Sequence, residues 1–433
     1  MIGDGMGFAH VKAYRYFADN PATPEIDLLP FEPYLVGAVV TDPLAAGIPD
    51  AECVRKTASP CTSHSYQIVD SAAAATAYAT GQDTLNEVLS LSPSGEVLGS
   101  IAELGRKNGM AIGLVATSQI THATPAAFVT HVENRDYNTV IADQLFDLQW
   151  QGEPLAAVLL GGGLADLQRE DRNLVTEFGQ ANYSLASNRD ELMSSDTARI
   201  LGLFAPWGLA RAWDRDASVP SLADMTEAAL KALKQNDEGF FLMVEGSQID
   251  WAAHDHDVAG VISEMEDFSA AIDVVLEFAS GQGDTLVVIT ADHETGGMSL
   301  GLDDIYEWNP GPLRGLKSTP VAMTETFLAG QETLSQAVTR AVPFSLTAEE
   351  QNHLDSFKRE DVTQPVGEIE ELAAYQGITR VLNQRTLTGW STEGHTAIDV
   401  PLYALGPGSQ NFHGLMQNEE LGRQLQNLLL LRP

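Results

Sequence analysis

Five short apolar runs, at residues 34–41, 110–117, 156–160, 239–245 and 286–291, stop on glycine or polar residues, and helical periodicity lies between them. Aliphatic runs of this length suit strands covered on both faces, and strands alternating with helices build a mostly parallel sheet flanked by helices on both sides. The helical pattern is clearest where Val261, Met265, Phe268, Ile272, Val275 and Ala279 share one face, with Glu264, Glu266 and Asp273 off it. A chain of 433 residues, 44% hydrophobic, can bury one large core. The α/β pattern lapses between 302 and 389, where Pro310-Gly311-Pro312 and a polar stretch at 347–351 interrupt it, and resumes with a last strand at 400–405. Residues 1–301 and 390–433 therefore read as a single α/β domain, and 302–389 as an insertion capping the sheet edge.

Active sites of such sheets gather at the carboxyl ends of the strands. The run at 286–291 stops on Asp292 and His293, two adjacent residues of metal-ligand type. Other segments bring candidates to the same edge. Asp4 lies in Gly-Asp-Gly-Met-Gly, where glycines let the backbone turn beside a ligand. Ser71 opens an alanine-rich helix, where it reads alone as an ordinary cap and next to a metal as a nucleophile. Past the run at 110–117 come His122, a partner for a bound water, and Thr124, a hydroxyl ligand for a hard cation. Arg135 is a surface arginine unless an anion site lies beside it, where its fork grips phosphate. Glu245 ends a buried strand, where an unpaired carboxylate is costly. Asp250 and His254 are spaced i, i+4, one face of a helix, and His395 adds an imidazole before the last strand. His256 falls off that face and reads as a surface residue. Together these residues point to a multinuclear metal centre acting on an anionic ester.

Charge narrows the partners. Sixty Asp+Glu against 24 Lys+Arg give a net charge of -36, which repels nucleic acid and anionic membranes. Such a surface also favours solubility in high salt, so a halophilic or marine origin is expected. No apolar stretch reaches transmembrane length. Cys53 and Cys61 are the only cysteines, eight apart, and a disulfide between them would lean towards a periplasmic or secreted protein. The opening Met-Ile-Gly-Asp reads as the end of a strand, so the true start is expected upstream of Met1. Gly161-Gly162-Gly163 lacks the spacing of a phosphate or dinucleotide loop and reads as a tight turn.

Seven ordered motifs, IGDGMG, DSAAAATAYATG, THATPAAF, HVENR, VEGSQIDWAAH, TADHETGG and TEGHTAIDVPLYA, resemble those of the alkaline phosphatases. The resemblance implies a sheet of that family's kind with a crown insertion, two zinc ions and one magnesium ion per chain, and a homodimer. It assigns Asp250, His254 and His395 to the first zinc and Asp4, Asp292 and His293 to the second. Asp4, Thr124 and Glu245 fall to magnesium. It also implies that Ser71 attacks phosphorus to give a phosphoserine, that Arg135 holds the phosphate oxygens, and that broad phosphate monoester hydrolysis follows at alkaline pH. His122 and Trp251 stand where the enteric bacterial pattern has Asp and Lys, a pairing that resembles marine and cold-adapted members, with His122 reaching magnesium through water. The rival readings are a phosphodiesterase or sulfatase of the same superfamily, whose nucleophiles differ, and a non-catalytic zinc- or phosphate-binding protein.

Overall fold

In a computed structural model the protein is described over residues 1–44, 67–330, 332–359 and 369–430; Cys53 and Cys61 lie outside these. Ten strands of the principal layer, in chain order, are β1 Ile2–Gly3, β2 Leu35–Val40, β3 Ala111–Gln119, β4 Val158–Gly162, β5 Ser184–Ala186, β6 Ile200–Leu203, β7 Phe240–Gly246, β8 Val287–Ile289, β9 Val400–Leu405 and β10 Gly414–Gln417. One sheet has the order β1-β7-β3-β4-β6-β5 and is parallel throughout. The other has the order β8-β9-β2-β10, antiparallel at β8–β9 and β9–β2 and parallel at β2–β10. A parallel bridge between Ile2 and Thr290 joins the two. The five expected runs all form strands. The antiparallel β9 has a functional result: its amino end lies beside the carboxyl end of β8, so a residue ahead of β9 reaches the same edge. β5, β6 and β10 were not among the expected strands, being only three or four residues long.

Helices that position the site are α1 Phe8–Ala18, α2 Ser71–Thr80, α3 Ala123–Ala127, α4 Gln248–His254, α5 Val258–Gln282, α6 Pro320–Leu328, α7 Leu334–Ala341, α8 Ala348–Leu354, α9 Ala373–Thr386 and α10 Asn418–Leu430. The six apolar residues read as one face of α5 are all buried. Glu264, read as lying off that face, is buried as well and accepts a hydrogen bond from the Ala212 N–H. The segment around Ala212 and Trp213 covers the second side of this helix, which its periodicity alone does not reveal. Every residue of α2 is buried. It packs on α10, where a Cβ at Gly422 would come within 2.2 Å of the Ala77 carbonyl, so the helix carrying Ser71 is held by close backbone contact. Of the glycine triplet read as a turn, Gly161 and Gly162 instead end β4 and only Gly163, at φ 96°, turns the chain.

Residues 302–389 leave and rejoin the sheet through a narrow neck. Ser299 pairs with Gly389 and Leu300 with Thr388 in an antiparallel bridge. Beyond the neck, Arg314 donates to the Tyr16, Phe17 and Asp19 carbonyls at the carboxyl end of α1. Tyr375 of α9 donates to Asp257, the residue that caps α5, and Asn383 donates to the His256 carbonyl. This segment is thus anchored directly behind the turn that follows His254.

Candidate metal centre

Three groups of side chains converge at the sheet edge: Asp250, His254 and His395; Asp4, Asp292 and His293; and Asp4, His122 and Glu245. Within each, one ligand atom per residue lies within 4.8 Å of the others. They come from β1 (Asp4 follows it), β7 (Glu245), α4 (Asp250, His254), the end of β8 (Asp292, His293), and the segment before β9 (His395). Gly5, at φ +71°, makes the convergence possible, because a Cβ there would lie 2.8 Å from the Asp250 backbone.

Hydrogen bonds behind the imidazoles fix which nitrogen faces inward. His395 Nδ1 meets the Val69 carbonyl at 2.8 Å, and His254 Nδ1 meets the Glu393 carbonyl. A carbonyl only accepts, so each ring carries its proton on Nδ1 and turns Nε2 inward. Those two Nε2 atoms are 3.2 Å apart. Two lone pairs cannot face each other at that distance unless positive charge, a proton or a metal ion, sits between them. Asp250 Oδ2 lies 3.3 Å from His254 Nε2 and Oδ1 lies 3.8 Å from His395 Nε2. Although burial opposes it, Asp250 pushes His254 up to about 9, so in the metal-free protein a proton fills the role of the cation.

The second group is fully buried. His293 Nε2 lies 3.2 Å from Asp292 Oδ2, 3.5 Å from Asp4 Oδ1 and 3.2 Å from Ser71 Oγ. Asp292 Oδ1 accepts from the Gly5 and His293 N–H groups, which leaves Oδ2 directed at the site. Among the described residues, both oxygens of Asp4 and of Glu245, Asp292 Oδ2 and Thr124 Oγ1 are buried without a well-formed hydrogen bond. Burial, with the neighbouring carboxylates, drives Asp4 well above the ordinary range, Glu245 to about 8 and Asp292 to about 7. Orphaned acceptors this crowded fit divalent cations and little else. Asp4, Glu245 and Thr124 offer oxygen donors of the kind a hard ion takes, while the other two groups combine imidazole with carboxylate.

Ser71 is not the cap of its helix. Asp70 takes that position, accepting from the Ala73 N–H at 2.9 Å, and frees the Ser71 hydroxyl to face His293. The second Asp70 oxygen pairs with Arg135 at 3.1 Å, which aims the guanidinium at the amino end of α2. Asp70 was not among the expected site residues, although an Asp directly before the Ser of an alanine-rich helix is a capping signal. Arg135 also donates to His122 Nε2 at 3.1 Å. His122 must then carry its proton on Nδ1, which is buried and unpartnered and can donate to a bound water but cannot ligate an ion. Burial and Arg135 push His122 down to about 3, keeping it neutral. Trp251 meets His122 edge to face, with ring centroids 5.8 Å apart. His256, read as a surface residue, is half-buried: it stacks on Trp390 and hydrogen-bonds the Thr392 carbonyl. Nothing in local spacing announces that contact, because Trp390 lies across the insertion.

Fold and site together define a metal-binding α/β enzyme. A model of the alkaline phosphatase family matches residues 1–431. The chain is 41% identical over 428 residues to Alkaline phosphatase 3 of Bacillus subtilis, covering 98% of this chain and 87% of that protein. Among solved structures, a cold-active alkaline phosphatase from a psychrophilic Shewanella is 34% identical with a TM-score of 0.85, covering 99% of this chain and 98% of that one. The Thermus thermophilus alkaline phosphatase gives 25% identity and a TM-score of 0.81, covering 100% and 90%. The chain belongs to the alkaline phosphatase family and is a phosphoric monoester hydrolase. Among the described residues no helix is long and apolar enough to cross a membrane.

Proposed function

We propose that this protein hydrolyses a broad range of phosphate monoesters at alkaline pH through a phosphoserine on Ser71, with two zinc ions and one magnesium ion per chain. The observation that carries the reading is the pair of inward Nε2 atoms of His254 and His395 at 3.2 Å, set beside a second buried group that contains the Ser71 hydroxyl. When bound, zinc at Asp250, His254 and His395 and at Asp4, Asp292 and His293 would supply Lewis acidity to the reacting oxygens, and magnesium at Asp4, Thr124 and Glu245 would order a water for proton transfer.

The chain's own residues do the rest. Ser71 Oγ attacks phosphorus, and the bond to the departing alcohol breaks on the opposite side. Water then displaces Ser71 from the phosphoserine, returning the hydroxyl and releasing inorganic phosphate. Arg135, held by Asp70, binds the non-bridging oxygens, and the amino end of α2 adds its dipole to their stabilisation. His122, held neutral, donates its Nδ1 proton to a water beside Glu245 and Thr124. A cap role for residues 302–389 is supported by their hydrogen bonds to Asp257 and to the His256 carbonyl.

Metal analysis of the purified protein, paired with p-nitrophenyl phosphate turnover at alkaline pH, tests this reading. Two zincs and one magnesium per chain with rapid turnover are expected; turnover by metal-free protein would refute it. Trp251 supplies a second check. With no lysine at this position to hold phosphate, product leaves readily, so Trp251→Lys should tighten inhibition by inorganic phosphate; an unchanged inhibition constant would remove Trp251 from the account.

A further inference from the structure

Thr295 is fully buried and touches each segment that carries ligands of the two zinc groups. Its backbone N–H donates to the Gly5 carbonyl at 3.2 Å, next to Asp4. It pairs across an antiparallel bridge with His395. Its hydroxyl contacts Asp250 Oδ1 from the first group and lies 3.2 Å from His293 Nδ1 in the second. A hydroxyl has one proton. A carboxylate oxygen accepts, so the Thr295 proton goes to Asp250 Oδ1. Thr295 Oγ1 must then accept from His293 Nδ1–H. The path runs one way, from His293 through Thr295 to Asp250, and it leaves the His293 Nε2 lone pair directed at Asp4, Asp292 and Ser71.

Resting on the zinc reading above, we propose that Thr295 is a positioning residue that couples the two ion sites, orienting one ligand of each through a single hydroxyl. Removing that hydroxyl leaves a buried Nδ1–H without an acceptor and takes a donor from Asp250, which loosens both groups together.

The test measures zinc affinity of the full-length protein by competition with a chromophoric chelator, for the parent, Thr295→Val and Thr295→Ser. Valine keeps the shape and loses the hydroxyl; serine keeps the hydroxyl. Thr295→Val should bind zinc about 10- to 100-fold more weakly at both sites, the usual scale for an outer-shell partner, and Thr295→Ser should stay close to the parent. If Thr295→Val does not fold, Thr295→Ala takes its place in the same comparison. Parent-like affinity in the hydroxyl-free variant overturns the proposal, as does weakening confined to one site, or equal loss in the serine variant, which would make the contact one of packing. A parent protein that binds no zinc at all would instead refute the reading of the site itself.

Discussion

Replacing Ser71 with alanine is expected to reduce p-nitrophenyl phosphate turnover by about four to six orders of magnitude, the scale on which loss of a hydrolase nucleophile acts. The substitution is unusually clean here. Asp70, not Ser71, satisfies the first turn of α2, so the cap and its hydrogen bond to Ala73 survive. Alanine suits the fully buried environment of the helix, and the hydroxyl's described partner is His293, which keeps Asp4 and Asp292 beside it. Zinc content should therefore be retained while turnover disappears. Comparable turnover in the variant would show that another group attacks phosphorus. Loss of zinc together with activity would make Ser71 a structural member of the second group.

Chelation should lower the melting temperature by about 10 °C, with the gap widening as pH rises. An ion present at a thousandfold excess over its dissociation constant contributes about 4 kcal/mol, so the three ions proposed above would contribute about 12. A chain of this length, at the usual unfolding entropy per residue, shifts by about 1 °C per kcal/mol. The pH dependence comes from the same carboxylates. In the metal-free protein Glu245 is pushed to about 8 and Asp292 to about 7, mainly by burial. Between ordinary carboxylate values and these, the folded state keeps protons that the unfolded chain has released, so stability falls as pH rises through the interval. His254, raised to about 9, adds to this: its contribution is complete below the ordinary histidine value and is lost as pH climbs towards 9. Melts at pH 5 and pH 8.5, with and without chelator, check both parts. Coincident curves at both pH values would remove the ions from the stability of the fold.

Much of this was legible in the sequence because ligand pairs sit at strand ends or at helical spacing. Asp292 and His293 end an apolar run, and Asp250 and His254 are a turn apart on α4, so local pattern brings each pair to the edge. What escaped is what depends on two distant segments meeting. Thr295 matters because it lies between Asp250 and His293 in space, and its position in the chain says nothing of Asp250. Asp70 hid its second role for the same reason, since Arg135 reaches it only after the chain has passed through β3. Glu264 looked solvated because its own helix is amphipathic on paper, whereas the residues that cover it come from around Ala212. Three- and four-residue strands such as β5 and β10 carry too few positions to show a period at all.

The neck at Ser299–Leu300 and Thr388–Gly389 bears on how chains of this kind can diverge. Exit and return lie side by side in one bridge, about 5 Å apart at ordinary strand spacing. Viewed from the sheet, the segment leaves and returns at one closed point, and beyond it α6, α7 and α9 bury residues such as Phe327, Val338 and Ile378 in the same core. A different segment spliced at those two points would keep the pairing at the neck but lose the hydrogen bonds from Arg314 to α1, from Tyr375 to Asp257 and from Asn383 to the His256 carbonyl. The neck fixes where the segment joins the sheet, and the segment's hydrogen bonds to α1, Asp257 and His256 make it part of what holds the site in place.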